Sequence, residues 1–492
     1  MINLTAWSWF FALLYIAALV YLSWLGNKRT KNLEDFTTAK QQYGWFIISF
    51  ATVASWCSAA AFLGQPGMGY GIGFPALWYV MGYAMSGLCW CLSMFGVWKV
   101  GAKLGARTTP DFLGKRFQSD FIKGFAAIVT VMNIYYVAGQ FVGLGWLFLT
   151  ALKIPYLTGI IISAAITCAY IIVGGTHADL LTDAFQGALM AVASVLVLFA
   201  CFLFVVPGGV AGINQAIVAQ NPALGWDNVF SSVSPLFTAF PAISICIALG
   251  GGALSPQMSK NFLALKSKSD LPKVAIVAAG LMVMMSWMML GGIGARAALG
   301  GDLAKTPDLA LPTLLTKLLP APVTAFMVVA MLAAIMSSAD GLYLVIATAI
   351  ASDLYKDIIA PRLGRNNSDQ AMEKRVLMLN RLFIAIVTVV ALKVAYPAPK
   401  YLTALIWTGL GGFTCSISPS ILSGAFWRRC TPVASAVSMV ASFATYAYCI
   451  FLKGLHPYTC CGIGLLISIP TIVIVSLFTK PQSKEFLDEL FA

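Results

Sequence analysis

Charge is scarce in this sequence. Asp, Glu, Lys and Arg make up only 10% of the 492 residues, against 60% hydrophobic, whereas a soluble domain is usually about a quarter charged. A soluble globular protein is thereby excluded. Histidine is nearly absent, with His177 and His456 the only two. The eleven cysteines lack zinc-type spacing: "CWC" at 89–91 and "CC" at 460–461 are not ligand pairs, and Cys inside an apolar run behaves as a small hydrophobe. A metal-enzyme site is excluded on those grounds. Long polar loops are missing too, so the formal charge of +13 has no tract in which to form a nucleic-acid footprint. No nucleic-acid partner is expected.

Apolar runs are what the chain has in quantity. Stretches of about twenty residues, enough for a helix to cross the hydrocarbon core, recur at about 4–26, 44–73, 74–98, 124–150, 155–175, 178–206, 235–259, 274–295, 322–352, 382–396, 401–427, 431–452 and 460–479. The expected fold is therefore all-α and integral to a lipid bilayer, with about 13 transmembrane helices. The first span lacks a small-residue cleavage motif and is read as a retained helix. If 27–43 is cytoplasmic, the alternate loops on that side hold 24 of the 31 Lys and Arg, and the other side holds seven. By the positive-inside rule the N-terminus lies outside and the C-terminus in the cytoplasm.

Two spans read as broken. The second contains "FLGQPGMGYGIG" at 62–73 and the seventh "ALGGGALSPQMS" at 248–259, where Gly and Pro remove helix propensity and a backbone hydrogen bond. Unwound backbone at membrane depth is tolerated only where it is buried or lines a cavity. The two spans lie five apart and run in opposite directions, as an inverted repeat of five helices would place them, and paired breaks of this kind point to a transporter's binding site. The expected organisation is a peripheral helix at 1–26, five-helix repeats at 44–206 and 235–427, two C-terminal helices at 431–480 and a short cytoplasmic tail at 481–492.

The ninth span carries "AAIMSSADGLYL" at 333–344. Ala334, Ser337, Ser338 and Gly341 share one helical face of small residues. Asp340 lies one turn from Ser337, and a carboxylate there costs at least ~2.5–3.5 kcal/mol unless it is compensated. The serines could bond back one turn along their own helix, or they could serve a hard cation, which wants oxygen ligands. An unwound stretch within 51–64 of the second span would add free carbonyls. Asp183, a turn deeper than Asp179 in the sixth span, is a second buried acid suited to ion passage, whereas Asp179 reads as a helix-start residue facing the loop.

The motifs "GGTHADLLTDAFQG" at 174–187, "TTPDFLGKRF" at 108–117, "AAIMSS" with "SDLYK" at 352–356, "PQMSKNFLALKS" at 256–267 and the stretch 409–440 together resemble the solute:sodium symporter family along nearly the whole chain. The resemblance implies a leucine-transporter-like fold and sodium as the coupling ion. It implies sodium ligands at the carbonyls of Ala54, Cys57 and Ala334 and the hydroxyls of Ser337 and Ser338, with Asp183 along the inward ion path; Asp340, which the family pattern does not explain, is placed on that path by its own position one turn from Ser337. The chain also departs from the family. Asp340 and Gly341 stand where some members hold a second sodium by hydroxyls, Trp56 stands where proline-transporting members carry an aspartate, and Asn261, after Lys260, stands where many carry an arginine.

The expected function is sodium-coupled import of a small organic solute across a bacterial inner membrane by alternating access, with the chain acting as a monomer and not as an enzyme. An organic anion such as a monocarboxylate or pantothenate, or an amino acid, is the expected substrate. Candidate contacts beside the breaks are Trp56, Ser58, Gln65, Tyr135, Gln140, Gln257 and Trp407. Proton coupling in the same fold is the nearest alternative. A channel would call for a repeated pore loop, and a membrane sensor for more than the thirteen residues after Thr479.

Overall fold

The computed structural model describes residues 3–29, 39, 42–363 and 369–491. Among these, regular structure is helical throughout, apart from an isolated parallel bridge between Tyr43 and Leu265. In lipid an apolar run becomes helix because every backbone N–H and C=O must be satisfied internally. Eleven described helices are long and apolar enough to cross a membrane, and the bent pair Trp45–Trp56 and Ala60–Ile72 makes a twelfth span. The remaining expected span, at 155–175, is represented by the shorter apolar helix Tyr156–Ala169. It runs on into the sixth span within one 48-residue helical stretch, Tyr156–Leu203.

The ninth span, Ala321–Thr348, is the central post. Among residues 327–344 every side chain is buried. The first span, Leu4–Arg29, the fourth, Asp120–Ala151, and Tyr156–Leu203 all pack on it. Exposed Leu, Ile, Val and Phe side chains are concentrated on the outer faces of the first, tenth, twelfth and thirteenth spans, for example Leu13, Val389, Phe451 and Phe478, forming the lipid-facing belt.

Both expected breaks exist, but the second-span break is displaced. Its helix stops at Trp56, Cys57 takes φ −81° and ψ 89°, and the chain bends by 58° before Ala60–Ile72. The Gly/Pro-rich segment at 62–73 is itself helical, as a π turn Ala60–Gly64 followed by Gln65–Ile72. Pro66 follows directly on the π turn, where Gln65 N–H reaches back five residues to Ala60 O. The glycines serve contact instead. A Cβ at Gly67 would come within 2.5 Å of Asp308 Oδ1, and one at Gly64 within 2.4 Å of Thr403 Cγ2. The seventh span breaks where expected: Ala239–Gly252 ends, three residues turn, and Pro256–Leu263 resumes.

Asp308 packs against the C-terminal half of the second span, at Gly67. It lies in the turn Pro307–Leu309 between the eighth and ninth spans and is 1% exposed. Its Oδ2 accepts from the Leu402 backbone N–H at 2.9 Å, at the start of the eleventh span Leu402–Phe426. Burial pushes its carboxyl well above the usual carboxylate range, against the opposing pull of that hydrogen bond.

Candidate ion and solute sites

The break in the second span leaves carbonyls without helical partners, and the ninth span meets them. Ser337 Oγ donates to Ala54 O at 2.9 Å and reaches Ala334 O at 3.0 Å. Ser338 Oγ lies 3.3 Å from Ala54 O and 3.2 Å from Ser55 O. Both serines and both alanines are fully buried. The Ser337 and Ser338 hydroxyls thus meet at the Ala54 carbonyl, Ala334 O joins through Ser337, and the fifth residue, Cys57, stands at the break itself with its N–H bonded to Val53 O at 2.8 Å. The donor set consists of hydroxyl and carbonyl oxygens shielded from solvent, which suits a small hard cation.

Beside this set lies a cluster of carboxylates. One oxygen each from Asp179, Asp183 and Asp340 falls within a 4.8 Å span, and all three residues are buried. Asp183 and Asp340, distant in sequence, are neighbours. Asp179 is a correction: it is 3% exposed and belongs to this cluster rather than facing a loop. Its position one helical turn before Asp183 puts both on the same face, and that spacing was the available signal. Ser55 Oγ donates to Asp183 Oδ2 at 2.8 Å and accepts from Asn261 Nδ2 at 3.1 Å, so the inner half of the seventh span reaches the cluster too. With its amide oxygen accepting from the Tyr15 hydroxyl at 2.6 Å, Gln186 donates to Asp183 Oδ1 at 3.3 Å. The first span therefore enters the polar network through Tyr15.

The expected solute contacts divide into three groups. Trp56 and Trp407 converge on Gly252, the last helical residue before the seventh-span break: a Cβ there would lie 2.8 Å from one indole and 3.4 Å from the other. Tyr83 packs on Trp56 at 6.2 Å and Tyr458 on Trp407 at 4.6 Å, measured between ring centroids. Gln65 and Gln257 are buried beside the two breaks, and Trp56 Nε1, Gln65 Oε1 and both amide atoms of Gln257 have no hydrogen-bond partner among the described residues. Ser58 and Gln140 have another role. Ser58 Oγ accepts from Ala60 N–H at 3.1 Å, the usual N-cap contact, and Gln140 Oε1 accepts from Ala59 N–H at 3.0 Å from the neighbouring fourth span. Tyr135 is turned toward Phe451 at 6.4 Å, on the twelfth span's lipid side. Tyr136, one residue on and 2% exposed, takes the inward place within hydrogen-bonding reach of Ser58 and Ser338.

Broken helices whose unwound ends meet oxygen ligands at the centre of a helical membrane protein define a secondary transporter. Residues 36–441 match the Sodium:solute symporter family, and the chain belongs to that family. It is thus a multi-pass membrane transporter, not an enzyme, with sodium as its coupling ion and a small molecule as its cargo. The Osmoregulated proline transporter OpuE of Bacillus subtilis (strain 168) is 28% identical, over 96% of this chain and 94% of its own length. The High-affinity proline transporter PutP of the same organism is 27% identical, over 96% and 98%. Sodium/proline symporter 2 of Staphylococcus saprophyticus is 26% identical, over 95% and 92%. In fold, the chain is similar to the substrate-bound outward-open state of a Na+-coupled sialic acid symporter, with TM-score 0.77 and 16% identity over 96% of this chain and 98% of the other.

Proposed function

We propose that the chain imports a small carboxylate-bearing solute by alternating access, with sodium bound by Ala54, Cys57, Ala334, Ser337 and Ser338. The observation that carries this reading is the convergence of the Ser337 and Ser338 hydroxyls on the Ala54 carbonyl. Sodium in that place would tie the second span to the ninth, and its inward release past Asp183 and Asp340 would let them separate. The solute would lie against Trp56 and Trp407, where the unpaired N–H of Trp56 and the amides of Gln65 and Gln257 await a polar partner. Half-helix N-termini at Ala59 and Pro256 favour a negative group there.

In this reading residues 44–206 and 235–427 are the two inverted repeats, the N-terminus is outside, the C-terminus is in the cytoplasm of a bacterial cell, and one chain suffices for transport. The proline transporters among the relatives put amino acids first among candidates, and monocarboxylates and pantothenate follow. Trp56 narrows the choice, since the resemblance sets an aspartate there in proline-transporting members. Uptake of labelled proline, other amino acids, monocarboxylates, pantothenate and a sugar into vesicles, with and without a sodium gradient, tests the proposal. Sodium-driven uptake of the sugar alone would refute the carboxylate assignment.

A further inference from the structure

An apolar cavity of about 340 Å3 lies between the third, seventh, eleventh and thirteenth spans, with Cys89, Gly250, Gly251, Leu422 and Leu465 in its wall. It is separate from the ion and solute residues. Its rim includes Ile247, Ile469 and Val473, which are 47%, 51% and 43% exposed on faces turned to lipid. Two hydroxyls reach the wall, and both are engaged by protein: Ser418 Oγ donates to Gly251 O at 2.8 Å, and Ser423 Oγ donates to Ser420 O at 3.3 Å. The wall side chains therefore offer apolar contact and no unmet hydrogen bond. At one end the lining closes with Trp427, a side chain suited to the membrane interface. Arg428 follows, outside the lining, with a side chain 52% exposed that pairs with Asp488 and lies over the Phe491 ring at 5.9 Å.

We propose that this cavity is a binding site for one acyl chain of an anionic bilayer phospholipid, whose headgroup phosphate rests at Arg428. An apolar recess open to the membrane has acyl chains as its neighbours, and the guanidinium beside Trp427 supplies the matching charge for a phosphate. The position gives the lipid a consequence. One wall is Gly250 and Gly251, in the last turn before the seventh-span break, and the opposite wall belongs to the eleventh and thirteenth spans. A chain lodged there backs the broken helix from the lipid side. Any effect on transport rate rests on the alternating-access reading above, whereas occupancy of the cavity does not.

The test uses the full chain in liposomes of phosphatidylcholine doped with a phosphatidylglycerol that carries a diazirine near the end of one acyl chain. After irradiation, adducts on the 418–427 and 465–473 segments should exceed those at the lipid-facing Leu382 and Val389 by at least about fivefold, a preference worth roughly 1 kcal/mol. Filling the cavity by Leu465→Trp or, independently, by Ser423→Phe should bring them down to the belt level. Arg428→Gln should remove the advantage of phosphatidylglycerol over a phosphatidylcholine bearing the same diazirine. Adducts no denser than the belt, or unchanged in a folded filled variant, would overturn the site. Because the readout is labelling, a wrong solute or ion assignment leaves this test intact.

Discussion

Ser337 and Ser338 each place a hydroxyl within 3.3 Å of the Ala54 carbonyl oxygen. If these oxygens hold sodium, losing both hydroxyls removes two ligands, each worth on the order of 1 kcal/mol or more. Ser337→Ala with Ser338→Ala should therefore raise the sodium concentration for half-maximal uptake by about tenfold or more. Tyr136→Phe should have a smaller effect in the same direction, because Tyr136 reaches Ser338 from outside the ligand set. A double variant with unaltered sodium dependence would remove the site. The sequence left two uses open for the serines, bonding back along their own helix or reaching outward, and Ser337 does both, to Ala334 O and to Ala54 O. Tyr136 was not legible in the sequence, since helical periodicity alone does not say which of two adjacent tyrosines faces inward. The hydrogen bonds of Ser58 and Gln140 to the Ala60 and Ala59 N–H groups were not legible for a related reason: which backbone groups a break frees is set by tertiary geometry.

Among whole elements, the second span holds the clearest lesson. Gly and Pro signalled a break, yet the chain parts at Cys57 and Ser58, where no special residue stands. Side chains of Ser58, Gln140, Ser337 and Ser338 take over the freed backbone groups there, a tertiary arrangement invisible to local propensity. The glycines instead permit close packing, which gives a paired prediction. A Cβ at Gly292 would come within 1.8 Å of the Pro66 carbonyl oxygen, backbone that cannot swing aside, whereas Gly280 has nothing within 4 Å. Gly292→Ala should cost about 1–3 kcal/mol or block assembly, and Gly280→Ala should be neutral or slightly stabilising. Thermal unfolding in detergent compares them, and equal midpoints would count against this packing.

Asp308 makes a second prediction for this scale. Its carboxyl titrates far above its unfolded range, so its contribution to stability is complete at low pH and is lost as pH rises toward the folded value. The loss is at most about 1.4 kcal/mol per pH unit above ~3.9. The melting midpoint should fall as pH rises from 7 to 8, and Asp308→Asn should flatten that slope. His456 acts with the opposite sign at lower pH: burial drives its imidazole down to about 4, so below its unfolded value of about 6.5 it makes stability rise with pH, and above pH 7 it is neutral in both states. A slope unchanged in Asp308→Asn would place the pH response elsewhere.

At the scale of the whole molecule, the acidic cluster joins parts that the sequence presents far apart. Asp179 and Asp183 come from the sixth span and Asp340 from the ninth. Ser55 ties them to the second span and Asn261 to the seventh, while Tyr15 arrives from the first through Gln186. The Ser337 and Ser338 oxygens that suit sodium are on the same helix as Asp340. In the proposed reading, sodium on its way inward would pass from those neutral oxygens to this acidic region. Asp340→Asn should weaken sodium activation of uptake several-fold, while external pH between 6 and 8 should change the wild-type rate little. A grid of initial rates over sodium concentration and pH measures both at once. If uptake in sodium-free buffer instead ran on a pH gradient and vanished in Asp340→Asn, the cluster would be carrying protons. The link between Asp340 and the sodium ligands would then be broken, although their neighbourhood in the fold would stand.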